Sequence, residues 1–178
     1  MMSGPVPHIR PMVARDREAL LGLLATVPEF SPTDIEVAVE VIDSYLRDPG
    51  GSGYNTFVAE VGGVIAGYIC YGPTPLTQGT WDIYWMATAP DRQGQGIGTG
   101  LMEFAEGRIA EAGGRMTVIE TSSRPEYEKT RRFHGSKGYR IAGRIPDFYA
   151  PGDDGLFFIK KLGDGPPRPP HSSGRNVG

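Results

Sequence analysis

The stretch that decides the fold is DRQGQGIGTG, residues 91–100, with glycines at 94, 96, 98 and 100. Two of these glycines fall inside what reads as the start of a helix, where each costs roughly 1 kcal/mol relative to alanine. A dinucleotide fingerprint requires Gly-x-Gly-x-x-Gly. Counting from Gly94 the third glycine is replaced by Thr99, and counting from Gly96 by Leu101, so the fingerprint fails even though Glu120 stands at a suitable distance for a ribose-binding acid. A P-loop requires lysine followed by serine or threonine, and no lysine stands here. A plain flexible connection leaves the glycines inside the helix unexplained. The remaining reading is an anion cradle. A strand ends, consecutive backbone N–H groups turn inward at a helix N-terminus, and glycines let a pyrophosphate approach where a Cβ would collide.

Outward from this loop, the preceding TWDIYWMAT (80–88) is strongly strand-forming. Strict alternation puts Trp81, Ile83, Trp85 and Ala87 on one face and Asp82, Tyr84, Met86 and Thr88 on the other. Both faces are largely apolar, which marks a central strand. After the loop, Ile97, Leu101, Phe104, Ala105, Ile109 and Ala112 repeat at helical spacing until Gly113-Gly114 stops them. Earlier in the chain, His8–Met12 reads as a short strand and Arg15–Val27 as a helix. A second helix begins at Ser31, a good N-cap followed by Pro32 and Asp34. Tyr54–Val61 and Val64–Gly72 flank Gly62-Gly63 as a hairpin. Later, Arg115–Ser122 is a strand, Tyr127–Lys137 a helix weakened by Gly135, and Tyr139–Ile145 and Leu156–Leu162 the last strands, joined by the loop PDFYAPGDDG.

At 178 residues, with 39% apolar and 22% charged side chains, the chain predicts one globular domain over residues 1–162. Residues 163–178, rich in proline and glycine, predict a disordered tail, whose PPRPP is otherwise a polyproline ligand. A net charge of -3 gives no reason to expect a nucleic-acid partner. The N-terminal dozen residues lack the apolar core of a signal peptide, and Ala19–Val27 is too short to cross a bilayer. No membrane partner is expected, and the lone cysteine, Cys70, predicts a reducing, cytoplasmic setting. Cys70 lies mid-strand in YICY and reads as a buried structural thiol rather than a nucleophile. Three histidines and one cysteine show no zinc spacing, so no metal is expected.

Gln93-Gly94-Gln95-Gly96-Ile97-Gly98 matches the Q/R-x-x-G-x-G/A signature of the GNAT acyltransferase superfamily, and MATAPDRQGQGIGTGLM resembles that family's strand–loop–helix core. The order of elements over residues 8–162 is also similar to the family's. The resemblance implies an α/β (α+β) fold, with a mixed, mostly antiparallel sheet flanked by helices on both faces. RRFHGSKGYR (131–140) resembles the family's lYeklGF element but departs from it: the usual tyrosine is His134, the acidic residue Gly135 and the leucine Lys137. The family's frequent asparagine seven residues earlier is Tyr127.

What the resemblance implies is transfer of an acetyl group from acetyl-CoA to a primary amine, carried by a small molecule or a peptide. Gln93, Gly94, Gln95, Gly96, Ile97, Gly98 and Thr99, with the backbone of Met86 and Thr88, would hold the coenzyme. The Met86 N–H, near a bulge, would face the developing oxyanion. An aliphatic amine with a pKa of ~10 must lose a proton before it attacks. Two carboxylates are candidates for that proton: Asp82, placed like the base of the histone-acetylating branch, and Glu120, similar to the acid of the branch that acetylates ribosomal-protein N-termini. Each also reads as an ordinary polar strand residue. His134 stands where the family's tyrosine protonates the leaving thiolate, and otherwise reads as a solvated helix histidine. The basic run Lys129, Arg131, Arg132 and Lys137 reads as a solvated face or as an aid to the coenzyme's phosphate. Glu29, Phe30, Phe148, Tyr149, Asp153 and Asp154 are the expected walls of the acceptor site. A homodimer is compatible with the family, though no residue specifies one. The eroded 133–139 element keeps open a second reading, a weakly catalytic acyl-CoA-binding module.

Overall fold

The computed structural model describes residues 6–163, so all but the first residue of the expected tail lies outside the described residues. The chain runs β1 (His8–Pro11), α1 (Arg17–Leu24), α2 (Pro32–Arg47), β2 (Asn55–Val61), β3 (Val64–Pro73), β4 (Thr80–Thr88), α3 (Ile97–Glu111), β5 (Met116–Ser122), α4 (Glu128–Ser136), β6 (Arg140–Ala150) and β7 (Asp153–Lys161). Local chemistry sets several of these boundaries. Ser31 Oγ accepts from Asp34 N at 3.2 Å and the Asp34 carboxylate accepts from Ser31 N at 2.8 Å, so α2 starts where the sequence placed it. The first helix starts later than expected. The buried Asp16 carboxylate accepts from Val13 N at 2.9 Å and pairs with Arg10 at 2.7 Å, holding Ala14–Asp16 as a separate 3-10 turn. Arg10 and the Val13 N–H keep the Asp16 carboxyl below its ordinary range.

The strands form one seven-stranded sheet in the order β1-β2-β3-β4-β5-β7-β6, and only the β4–β5 pair is parallel. β3 is buried on both faces because the sheet carries a core on each side. Leu20 and Leu24 of α1 and Ile42 of α2 pack on Val58, Tyr68 and Cys70. Ile97, Leu101, Met102, Ala105 and Ile109 of α3 pack on Ile69, Tyr71, Ile83 and Ile119. Each such side chain, fully buried, contributes about 1.5–3 kcal/mol. Gly67 lets α3 approach the sheet: a Cβ there would stand 2.9 Å from Ala87 O and 3.0 Å from Ile97 Cγ2.

Two features depart from the sequence reading, and both shape the site. The alternation expected along β4 breaks in the middle. Cys70 pairs with Trp85 and Tyr71 with Ile83, leaving Tyr84 as an extra, bulged residue. Trp81 and Ile83 therefore pack toward α3, whereas Trp85 and Ala87 pack toward α1 and α2. The second departure is the expected PDFYAPGDDG loop, most of which is strand. β6 continues to Ala150 and β7 begins at Asp153, with an irregularity between Ile145 and Ala150. Asp147, at φ +54°, turns inside that irregularity and donates its N–H to Asp154 Oδ1 at 2.9 Å.

Candidate active site

β4 and β5 pair only from Thr80–Met116 to Asp82–Val118. The bulge at Tyr84 follows at once, and added twist there turns the strands apart. From Ile83 to Thr88 the β5-side edge of β4 has no strand partner among the described residues. Where β4 ends, a 3-10 turn (Pro90–Arg92) leads into the glycine loop. Gly94 and Gly96 have φ of +78° and +79°, a backbone that L side chains rarely adopt, and a Cβ on either would meet no protein atom within 4 Å. These two glycines are needed for conformation, and the room beside them is open. The first helical bond of α3 runs from Gly100 N to Gly96 O at 2.9 Å, so the N–H groups of Ile97, Gly98 and Thr99 have no acceptor within the helix. Gly98 sits where α3, α4 and β4 meet: a Cβ there would stand in ordinary contact, 3.4 Å from Phe133 and 3.5 Å from Thr88 Oγ1.

A cavity of about 460 Å³ opens between these elements. Met86, Thr88, Gln93, Gly94, Gly96, Ile97, Gly98 and Thr99 all line it, and Gln95 does not. Its other walls are Val27, Glu29 and Phe30 from the α1–α2 connection, Ala87 of β4, Arg92 before the loop, and Tyr127, Lys129, Thr130 and Phe133 at α4. Tyr127, Thr130 and Phe133 recur every third residue on one side of the helix. That spacing was present in the sequence, but the family comparison drew attention to position 134 instead. The structure also separates the basic residues. Lys129 Nζ reaches Gln93 Oε1 across the loop, Arg131 donates to Ser122 O and Arg124 O at 2.8 Å, Arg132 pairs with Glu128, and Lys137 lies over Phe133. Of the four, only Lys129 lines the cavity.

The catalytic candidates are not brought together. His134 is 4% exposed, lies among Phe133, Tyr139 and Phe158, and is not part of the cavity wall. Its Nδ1 is buried with no hydrogen-bond partner among the described residues. Burial lowers its pKa to about 4, so at neutral pH it is an uncharged core residue, unlike the solvated histidine that was the alternative to a general acid. Asp82 accepts from Thr74 Oγ1 at 2.6 Å in the paired part of β4, four residues before Met86 and so about 13 Å short of it along the strand. β5 runs parallel to β4, with Val118 level with Asp82, so Glu120 lies about 7 Å nearer the open end. Neither Asp82 nor Glu120 is part of the cavity wall; Glu120 is exposed and accepts from Tyr149 OH at 2.7 Å.

Of the expected acceptor walls, Glu29 and Phe30 line the cavity and Phe148 and Tyr149 are exposed. Asp153 and Asp154 are instead buried, with relative exposures of 8% and 9%. Asp153 accepts from Ser122 Oγ and pairs with Arg124 at 3.3 Å, and Asp154 accepts from Arg144. These carboxylates fasten the β6–β7 hairpin to the end of β5. The Asp147 N–H and the Arg144 guanidinium hold the Asp154 carboxyl below its ordinary range. Burial raises the Cys70 thiol to about 12, which makes it inert at neutral pH. Among the described residues no group of three metal-binding side chains converges, and no helix is long and apolar enough to cross a membrane.

Comparison with known proteins gives the class of this fold, with its strand split beside a helix N-terminus and a glycine loop between. Residues 18–139 match the acetyltransferase (GNAT) family. An uncharacterised N-acetyltransferase of Methanocaldococcus jannaschii is 32% identical over 146 residues, spanning 76% of this chain and 90% of the relative. A GNAT-family crystal structure from Desulfovibrio desulfuricans superposes with a TM-score of 0.84 at 34% identity, covering 88% of this chain and 99% of that one. An aminoglycoside 6'-N-acetyltransferase complexed with coenzyme A shares the fold, with a TM-score of 0.67 at 20% identity over 91% of this chain and 99% of that one. The chain belongs to the GNAT acetyltransferase family, whose members use acetyl-CoA as acyl donor.

Proposed function

We propose that this protein transfers an acetyl group from acetyl-CoA to a primary amine by direct attack through a tetrahedral intermediate. The observation that carries the reading is the single cavity in which the free N–H groups at the start of α3 meet the unpaired edge of β4. A pyrophosphate fits this cradle because Gly94 and Gly96 leave open the space a Cβ would fill. The N–H groups of Ile97, Gly98 and Thr99 would hold it, with Lys129 close by. The unpaired backbone of Met86 and Thr88 would bind the pantetheine arm, and the Met86 N–H would meet the oxyanion. Holding donor and acceptor together removes much of the entropic barrier to their meeting.

Glu120 is the better placed of the two candidate bases, because it stands past the point where β4 and β5 part. His134, neutral and enclosed among Phe133, Tyr139 and Phe158, is poorly placed to protonate the leaving thiolate. A thiol with a pKa of about 8.5 leaves as the anion without such help. Loss of the family's tyrosine is therefore compatible with turnover, which weighs against the binding-module reading. At 100 times its dissociation constant, acetyl-CoA should stabilise the fold by about 2.7 kcal/mol. For a chain of this size that raises the melting temperature by about 5–11 °C, and NADH should give no such shift. Thiol release with a panel of amines then separates an enzyme from a module that binds without turnover.

A further inference from the structure

We propose that Tyr149 is a positioning residue for Glu120, directing one carboxylate oxygen toward the acceptor amine. This rests on the acyl-transfer reading above. On β5, Ile119 packs into the α3 core and Thr117 Oγ1 donates to Tyr139 OH at 2.9 Å, so Glu120 between Ile119 and Thr121 faces the other side of the sheet. Among the described residues, the core beneath α1 and α2 contains no residue of β5, β6 or β7, and Glu120 itself is exposed. Glu120 is opposite Phe157 in the β5–β7 ladder. The Phe148 ring packs edge-on against both Phe157, at 5.9 Å, and Tyr149, at 4.9 Å. This aromatic cluster holds the hairpin so that Tyr149 OH donates to Glu120 Oε1 at 2.7 Å, leaving Oε2 for another partner.

The charged and titratable surroundings of the pair are few. Glu120, Asp153 and Tyr127 all act on the Tyr149 phenol. Asp153 is engaged by Arg124 and Ser122. Tyr127 donates to Glu29 O at 3.0 Å, under the Arg124 guanidinium, and lines the cavity. No cation forms an ion pair with Glu120 among the described residues. Burial and the Glu120 charge push the Tyr149 phenol well above its ordinary range, so it stays protonated and acts as a donor. A carboxylate oriented by a neutral phenol is fixed in place at a smaller cost in basicity than an adjacent cation would bring. In the step this implies, an N–H bond of the ammonium breaks, an O–H bond forms at Glu120 Oε2, and the nitrogen keeps the electron pair with which it attacks.

The test uses Tyr149→Phe, Glu120→Gln and the double variant in the full chain. The amines are an alanine-terminated peptide, spermidine and an amino sugar. Tyr149→Phe removes a donor to the charged form. We expect kcat/KM for the amine to fall about tenfold, the loss of one hydrogen bond to a charged group. The acid limb of the pH profile should move to higher pH, while the acetyl-CoA melting shift is retained. Glu120→Gln should lose more, and the double variant should be no worse than Glu120→Gln alone. The Tyr149 phenol, followed by NMR, should titrate at lower pH in Glu120→Gln than in the wild type. Turnover with an unmoved acid limb, a Tyr149→Phe effect below twofold, multiplying losses in the double variant, or a phenol titration unchanged in Glu120→Gln would each overturn this inference alone. A wild type that shows no acetyl-CoA shift, or acetylates none of the three amines, overturns the acyl-transfer reading and this inference with it.

Discussion

Between Gln93 and Thr99 the site is made of backbone, with two positive-φ glycines and three helix N–H groups contributed by one short stretch of chain. Around Glu120 it is made of side chains that meet across strands, 29 residues apart in the case of Tyr149. The first kind of construction depends on conformation, which glycine alone supplies cheaply. The second depends on strand register, on the irregularity after Ile145 and on how the hairpin is fastened by Asp153 and Asp154. Under the proposed function, a fold built this way would keep its donor site fixed and alter its acceptor side by changing one hairpin.

The largest expected effect would break the backbone half. Gly96→Val puts a β-branched residue at φ +79° and its side chain into the cradle. Acetyl-CoA affinity should fall about 1,000-fold, ~4 kcal/mol, so that calorimetry and the melting shift both lose the ligand. Survival of the shift would mean that the pyrophosphate binds elsewhere.

The next effect sharpens the boundary between site and core, at His134. Its pKa is depressed in the folded state, from 6.5 to about 4, so its contribution is full above the unfolded value and is lost as pH falls through that window. The wild type should lose about 3 kcal/mol between pH 6.5 and 4 that His134→Phe keeps. Denaturant titration of both proteins at the two pH values measures this difference. The same variant should keep its rate within about tenfold, because a general acid is worth 10²–10⁴-fold. A larger drop would return His134 to the chemistry.

The smallest effect concerns Lys129, whose ammonium donates to Gln93 in the loop. Lys129→Ala should weaken acetyl-CoA about three- to tenfold and flatten the salt dependence of binding, since an exposed cation is strongly screened. An unchanged salt dependence would show that the cradle's N–H groups bind the phosphates without it.

The cofactor half was legible because its signals lie next to one another in the chain. The signature 93–98, the strand before it and the helix after it needed no distant partner, and all of its expected residues except Gln95 line the cavity. The acceptor half was legible only as a list of candidates. Asp153 and Asp154 looked like acidic walls and are buried fasteners, because the sequence does not show that Ser122, Arg124 and Arg144 reach them. His134 was read through the family's tyrosine, and only the packing of Phe133, Tyr139 and Phe158 shows it to be a core residue.

The sequence by itself determined the element order, the start of α2 at Ser31, the central strand at 80–88 and the glycine loop that leads into α3, since propensity, capping and φ preference act over a few residues. The tertiary structure alone decided where β4 changes face at Tyr84, where β4 and β5 part, and which carboxylate stands at the opening. A bulge and a ladder's end arise from how one strand pairs with another. Alternation within a single strand continues unbroken until its partner's register is known.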